Sequence, residues 1–281
     1  MSAAPGRSQA SSHRSTKGEG DPATGTSQLP AMLEVRDLAL SFGGVQAIRQ
    51  LAFDVFPGEV LAIIGPNGAG KTSVLNTVTR VFDASRGSIR FDGQELTGVQ
   101  RHAVAALGIA RTFQNIELFE AATVIDNLLL GRHRFGQGAW WQQLLRTPEV
   151  TRIEETSRAA IEEVIEFLDL SPWRNSLVAG LPYGVRKVVE LGRALATGPR
   201  LLFLDEPASG LNPEETRRLA FWIDDIRSDL GITVVMVEHD MSLVSAVSDR
   251  VICMAQGALL ASGTAREVQN HPLVISAYLG S

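Results

Sequence analysis

The stretch VLAIIGPNGAGKTSVLNTV, Val60 to Val78, decides the fold. Its first five residues, 60–64, form an uninterrupted apolar run, which is typical of a fully buried strand. Gly65–Thr72 then matches the pattern G-x-x-x-x-G-K-[ST], and the residues that follow favour a helix. A strand, this loop and a helix in that order predict a phosphate-binding loop in an α/β domain.

The chemistry of a bound phosphate explains the residue types in this loop. Glycines let the backbone curl so that successive N–H groups face the phosphates, and the helix N-terminus adds partial positive charge. We expect Lys71 to reach the terminal phosphates and Thr72 to offer its hydroxyl to Mg²⁺. An ordinary glycine-rich turn is the alternative, and the flanking strand and helix argue against it.

A second apolar run, 201–204, leads directly to two adjacent acids, Asp205 and Glu206. A carboxylate at the end of a buried strand beside a phosphate-binding loop can hold Mg²⁺, usually through water. The next acid, Glu206, can orient or deprotonate an attacking water. Taken alone, the pair would be better explained as a charged strand end; its combination with the loop favours a catalytic site.

Composition limits the class of protein. The chain has 281 residues, of which 44% are hydrophobic and 20% charged, and this suits a globular domain with a sizeable core. Its net charge of −5 argues against nucleic acid as the main partner. The single cysteine, Cys253, fits a reducing compartment. No apolar run approaches bilayer-spanning length, so we expect any membrane association to go through a partner. Residues 1–31 are rich in Ser, Thr, Gly and Pro and are predicted to be a disordered tail.

The remainder of the chain shows how the domain is organised. The stretches LEVRDLALSF and QLAFDVFPGEV alternate in the manner of half-buried strands. Between about 121 and 170 the pattern becomes helical, with Ile161, Val164, Ile165 and Leu168 on one apolar stripe. Strands alternate with helices again after residue 180. This alternation predicts an α/β fold with a mainly parallel sheet that binds ligands at its carboxyl edge.

The loop, the acidic pair and the turn PASGLN that follows it resemble the ATP-binding subunit of an ABC transporter. The resemblance covers about residues 32–281. It implies a P-loop NTPase domain with a mainly parallel core sheet, an N-terminal antiparallel β subdomain and a helical subdomain at about 115–197. It also implies hydrolysis of ATP coupled to transport across a membrane.

The resemblance assigns further roles residue by residue. Phe42 matches the aromatic residue that stacks on adenine, and residues 209–212, from Ser209 to Asn212, match the turn that crosses the dimer interface. The catalytic residues that it implies are Glu206, His239 and Gln114, and the Mg²⁺ ligands are Thr72, Gln114 and Asp205. The implied nucleotide contacts are Phe42, Gly65, Pro66, Asn67, Gly68, Ala69, Gly70, Lys71, Thr72, Ser73, Tyr183 and Gly184.

The signature segment, Leu181–Val185, departs from the general family pattern L-S-G-G-Q by reading LPYGV. The serine hydroxyl is missing, and Pro182 has no N–H. A helix begins here, and its first N–H groups, near Gly184, Val185 and Arg186, are expected to lack intrahelical partners. They can therefore still point at an anion. Pro-Tyr-Gly also occurs at this position in the ATPase subunits of branched-chain amino acid importers, so the resemblance marks it as a subfamily form.

A closer resemblance is to the ATPase subunits of branched-chain amino acid importers. It is carried by RTFQNIELFEAATVIDNLLLGRH, DEPASGLNPEET, MVEHDM and HPLVISAYLG. It implies that the chain binds permease membrane subunits and a second, identical or related ATPase subunit, and that it works indirectly with a solute-binding protein. It also implies a location at the cytoplasmic face of the membrane. ATPases of urea importers and of lipopolysaccharide exporters remain alternatives. So do a soluble ABC-type protein of DNA repair or translation and a small-molecule kinase, which the order of the motifs disfavours.

Overall fold

A computed structural model describes Met1 and residues 30–112, 116–132 and 148–279. For residues 148–151, 153 and 154 the description covers the backbone only. The predicted tail 1–31 therefore lies largely outside the described residues. Gln114 lies outside them as well.

A single mixed sheet runs through the described part of the chain. Its strands are β1 Leu33–Phe42, β2 Val45–Val55, β3 Val60–Ile64, β4 Arg86–Phe91, β5 Gln94–Glu95, β6 Ile109–Arg111, β7 Leu201–Asp205, β8 Thr233–Val237, β9 Arg250–Ala255 and β10 Ala258–Gly263. The strand order is β5-β4-β1-β2-β10-β9-β3-β8-β7-β6. From β9 to β6 neighbouring strands are parallel, whereas β1, β2, β4 and β5 pair antiparallel. The two halves confirm the predicted fold class.

Helices flank the sheet. They are α1 Lys71–Val78, α2 Arg101–Val104, α3 Val124–Gly131, α4 Pro148–Phe167, α5 Tyr183–Ala196, α6 Pro213–Ser228, α7 Met241–Val247, α8 Ala265–Gln269 and α9 Pro272–Leu279. Among the described residues, none of these helices has the length and apolarity to cross a membrane.

Strand β3 shows why the parallel strands carry uninterrupted apolar runs. All five of its residues are buried. Ala62 and Ile64 belong to the core on one face of the sheet, and Leu61 and Ile63 belong to the core on the other face. Side chains alternate between faces along a strand, so a strand covered on both faces needs apolar residues at every position. Strands β7 and β8 are buried in the same way. The carboxyl ends of all three strands meet at one edge, and the loops that follow them build the site.

The helical stripe predicted at Ile161, Val164, Ile165 and Leu168 packs inward. Ile161, Ile165 and Leu168 are buried and Val164 is partly buried against the same core. Helix α4 packs there against α3 and α5. The N-terminus of α3 is fixed by a capping box in which Thr123 and Asp126 satisfy each other's backbone N–H groups. Helix α5 is the element that joins this helical part to the site.

Candidate functional site

The loop Gly65–Thr72 connects β3 to α1 and requires glycine at two places. Gly65 has φ 149°, and a Cβ there would lie 2.1 Å from the carbonyl oxygen of Met254. Gly70 has φ 98°, and a Cβ there would lie 2.4 Å from the carbonyl oxygen of Ala47. Both positions combine a left-handed backbone with close approach to a neighbouring strand, and only glycine tolerates this. The loop therefore packs closely against the backbone of β9 and β2.

Lys71 begins α1 and is buried inside this loop. Its Nζ donates hydrogen bonds to the carbonyl oxygens of Gly65 at 2.8 Å and Pro66 at 3.1 Å. Burial lowers the pKa of Lys71, and the carboxylates of Glu206 and Asp205 act in the opposite direction. Gly70 caps α1 without a side-chain hydrogen bond, so the first-turn N–H groups of Thr72 and Ser73 are suited to an anion.

Asp205, at the end of β7, is held by an arginine that the sequence reasoning did not single out. Nη2 of Arg111 lies 2.6 Å from Oδ2 of Asp205, and both side chains are buried. Nη1 of Arg111 donates to Oδ1 of Asn76 on α1, also at 2.6 Å. Arg111 thus ties β6 to β7 and to the helix that follows the phosphate-binding loop. Burial raises the pKa of Asp205, and the guanidinium of Arg111 opposes that rise.

The other oxygen of Asp205 matters for a cation. Oδ1 of Asp205 is buried and has no hydrogen-bond partner among the residues that the structure describes. Such an orphaned carboxylate oxygen is unusual and calls for a ligand. Thr72, in the first turn of α1, adds a partly buried hydroxyl at the same edge of the sheet. An oxygen donor set of this kind fits Mg²⁺.

Glu206 occupies an unusual backbone conformation. Its φ is 48°, in the left-handed region that residues with a side chain rarely adopt. Its N–H donates to the carbonyl oxygen of Val237 at 2.9 Å, and its own carbonyl oxygen accepts from Nζ of Lys187 at 3.3 Å. The conformation of Glu206 is therefore fixed by contacts from β8 and from α5.

His239 follows β8 and is exposed, with 61% of its side chain accessible. The residue before it, Glu238, is fully buried. Oε2 of Glu238 accepts the N–H groups of His239 at 2.9 Å and Asp240 at 3.1 Å, and Oε1 accepts that of Ala208 at 2.7 Å. One buried carboxylate therefore holds both the backbone of His239 and the turn after Glu206.

The signature segment meets the turn 209–212 in the same chain. The hydroxyl of Tyr183 donates to the carbonyl oxygen of Ser209 at 3.3 Å. A Cβ on Gly210 would lie 2.7 Å from the ring of Tyr183, so the ring lies directly against this turn. Asn212 caps α6 through a capping box with Glu215. Tyr183 thus contacts the turn 209–212 of its own chain.

The structure corrects one expectation about α5. The helix begins at Tyr183 with Pro182 as its N-cap, and the N–H of Arg186 donates to the carbonyl oxygen of Pro182 at 3.0 Å. The prediction that Arg186 lacks an intrahelical partner is therefore wrong. With Pro182 as the N-cap, Arg186 is the fourth residue of the helix, and its N–H is the first that can reach the carbonyl oxygen of the cap. Gly184 and Val185 remain in the first turn.

Phe42 stands at the end of β1 with 45% of its surface exposed. Its ring meets that of Phe82 edge to face, with centroids 5.0 Å apart. The exposure leaves part of the ring available for a ligand.

Three charged residues at the site were missed by the sequence reasoning: Arg111, Lys187 and Glu238. Arg111 ends β6 and Glu238 directly follows β8. The rule that led to Asp205, that chemistry gathers at the carboxyl ends of parallel strands, could therefore have found both. Lys187 lies in the middle of a helix, and no pattern in the sequence distinguishes it from a solvent-exposed lysine.

Comparison with known proteins places the chain in a family. The family model for the ABC transporter matches residues 48–209, and a second model, for the branched-chain amino acid ATP-binding cassette transporter, matches residues 258–281. The chain is 41% identical over 249 residues to the high-affinity branched-chain amino acid transport ATP-binding protein BraF of Pseudomonas aeruginosa, covering 89% of this chain and 98% of that protein. It is 38% identical to LivG of Escherichia coli, which carries the same description. That alignment also spans 249 residues and covers 89% of this chain and 98% of LivG.

Solved structures agree with these relatives. A nucleotide-free ATP-binding cassette from an ABC transporter superimposes with a TM-score of 0.78 at 28% identity, covering 89% of this chain and 100% of that one. A cassette in its ADP conformation also gives 0.78, at 29% identity, covering 89% of this chain and 99% of that one. The chain belongs to the ABC transporter family and is one of its ATP-binding, ATP-hydrolysing cassettes. The predicted family, fold class and enzyme class are confirmed.

Proposed function

We propose that this chain is the ATP-hydrolysing subunit of a membrane importer for branched-chain amino acids. The observation that carries the ATPase part is the position of Lys71 inside its loop, close enough to Glu206 and Asp205 for both carboxylates to act on its pKa. The amino acid specificity is supported by the descriptions of BraF and LivG and by the match of residues 258–281.

The phosphates of ATP bind along the N–H groups of Gly65–Thr72 and Ser73 in this proposal. Lys71 exchanges its bonds to the loop carbonyls for the terminal phosphates, which offer a charged acceptor in place of a neutral one. Phe42 stacks on the adenine with its exposed face. The nucleotide is thus held at its base and at its phosphates by residues from β1 and from the loop after β3.

Thr72, Asp205 and Gln114 would hold Mg²⁺, and Asp205 would use its buried oxygen Oδ1. When bound, the ion would supply positive charge that offsets the charge on the phosphates. Arg111 binds the second oxygen of Asp205, Oδ2, which leaves Oδ1 for an ion.

Glu206 orients the attacking water and takes its proton. His239, whose side chain is exposed, contacts the terminal phosphate. Both residues follow buried strands, which fix their backbones. This matters because a water must be aligned with the phosphorus to react. Glu206 and His239 thus act from neighbouring strand ends on the same phosphate.

A complete site needs a second subunit in this proposal. The first turn of α5, with Tyr183 and Gly184, faces ATP bound by the partner, and the turn 209–212 crosses the interface. The contact between Tyr183 and Ser209 supports this, because it joins the two segments that would meet the partner. Residues 32–281 form the cassette, and its helical part near 115–197 meets the permease at the cytoplasmic face of the membrane.

Co-purification with the permease subunits of a branched-chain amino acid importer tests the proposal. The reconstituted complex should hydrolyse ATP faster when a loaded binding protein delivers leucine, isoleucine or valine. The same panel should include urea, other amino acids and an empty binding protein as controls. Stimulation by urea alone would contradict the assigned substrate, and absence of ATP hydrolysis would contradict the assigned activity.

A further inference from the structure

The segment 206–208, which carries the proposed catalytic carboxylate, is hydrogen-bonded at two positions by buried charged side chains. They are Lys187 of α5, only 8% exposed, and Glu238, fully buried after β8. Neither residue belongs to the nucleotide-binding loop. Buried charges are costly unless they are paired, so their presence here calls for an explanation.

Lys187 connects the signature helix to the backbone of Glu206. Its Nζ donates to the carbonyl oxygen of Glu206 at 3.3 Å. The side chain lines an apolar cleft between α5 and α6, together with Leu204 and Pro207. Glu190, one turn further along α5, is also buried, and it raises the pKa of Lys187 against the lowering effect of burial. Lys187 thus lies in an apolar cleft, where its amino group is bonded to the Glu206 carbonyl oxygen.

Glu238 holds the same segment at Ala208. Oε1 accepts the N–H of Ala208, two residues after Glu206, while Oε2 accepts two N–H groups around His239. Hydrogen bonds to a buried carboxylate are strong because the acceptor is charged and water is excluded. The turn after Glu206 is thereby linked to the end of β8.

Glu206 itself needs such support. Its φ of 48° is unfavourable for a residue with a side chain, and a conformation of this kind persists only where the surroundings impose it. The backbone conformation sets the direction of the Cα–Cβ bond and hence the aim of the carboxylate. If the left-handed conformation relaxed, the carboxylate would leave the position from which it can align a water.

We infer that Lys187 and Glu238 are positioning residues that hold Glu206 in its left-handed conformation and so aim its carboxylate at the attacking water. The inference rests on the proposed role of Glu206 as the base. Neither residue is among the proposed nucleotide contacts. Their loss is therefore expected to lower turnover and to leave ATP affinity unchanged.

A double-mutant cycle on the full chain tests this. Turnover is measured with radiolabelled ATP for wild type, Lys187→Met, Glu206→Gln and the double variant, and affinity is measured with a fluorescent ATP analogue. Lys187→Met should reduce turnover about 10-fold in wild type and less than about 2-fold in the Glu206→Gln background, because it acts through Glu206. Lys187→Arg should recover part of the loss. Arg227→Met, which removes a charge from a surface pair on α6, is the control and should leave turnover unchanged.

The outcomes separate the two proposals. Equal losses from Lys187→Met in both backgrounds, or no loss in wild type, would overturn the positioning role while leaving Glu206 as the base. Near-normal turnover of Glu206→Gln would overturn both. Glu238→Gln provides a second arm that keeps side-chain size: its amide can still accept at one atom but presents N–H groups at the other. It should show the same dependence on Glu206, and melting curves of each variant confirm folding.

Discussion

Arg111→Met should destabilise the folded cassette strongly, because it leaves the Asp205 carboxylate buried without its counter-ion. The pair is short, at 2.6 Å, and only 7% and 1% of the two side chains are exposed. Removing one partner of such a pair costs about 3–5 kcal/mol, since the remaining charge cannot return to water. In a domain of this size that corresponds to a fall in melting temperature of about 6–20 °C.

The assay is unfolding by denaturant and by heat, followed by tryptophan fluorescence. Arg90→Met is the matched control: its ion pair with Glu95 is 3.4 Å long and exposed, and such pairs contribute about 0–1 kcal/mol. Adding Asp205→Asn to Arg111→Met should recover a large part of the loss, because it removes the uncompensated charge.

The pH dependence provides an independent check. Burial already raises the pKa of Asp205, and loss of Arg111 removes the main opposing influence. A carboxyl whose pKa is higher in the folded than in the unfolded state contributes stability at low pH and loses it as pH rises. The deficit of Arg111→Met should therefore grow as the pH rises above the ordinary aspartate pKa of about 3.9. A deficit no larger than that of Arg90→Met, or one that shrinks with rising pH, would refute the reasoning.

Two substitutions and one labelling experiment test ATP binding, turnover and the burial of Cys253. Phe42→Ala should weaken ATP binding about 10-fold by titration calorimetry through loss of stacking on the base, and unchanged affinity would remove Phe42 from the site. Pro182→Ser should leave turnover within about 3-fold of wild type, since the helix N-terminus is already formed by the proline cap; a large gain would mean that the signature segment is impaired. Cys253 is buried and burial raises its pKa to about 11, so it should resist a thiol reagent at pH 8 until the protein unfolds, and fast native labelling would contradict this.

The sequence was most informative where one local signal was enough. Apolar runs at 60–64 and 201–204 identified buried strands, and the glycine pattern Gly65–Gly70 required the backbone that the structure has. The start of α6 is marked in the same local way, because Asn212 and Glu215 form their capping box within a few residues. Each of these features leaves a local signal in the sequence.

The parts that escaped prediction depend on contacts between distant segments. Lys187 and Glu190 look like the polar face of α5, yet both are buried because α6 and the end of β7 cover them. Arg111 pairs with Asp205 across two strands that lie far apart in sequence. The intrahelical bond of Arg186 was missed because a proline cap at Pro182 is less familiar than a serine or asparagine cap. The roles of the individual site residues stay predictions until variants are measured.

The most direct test of the central claim, that Asp205–Glu206 beside Gly65–Thr72 form a working ATP hydrolysis site, is a comparison of Glu206→Gln with wild type. ATP affinity and single-turnover hydrolysis are measured on the same preparations, free or bound to permease. The account predicts unchanged affinity and a loss of hydrolysis of about 10²-fold or more. Hydrolysis near the wild-type rate would contradict it.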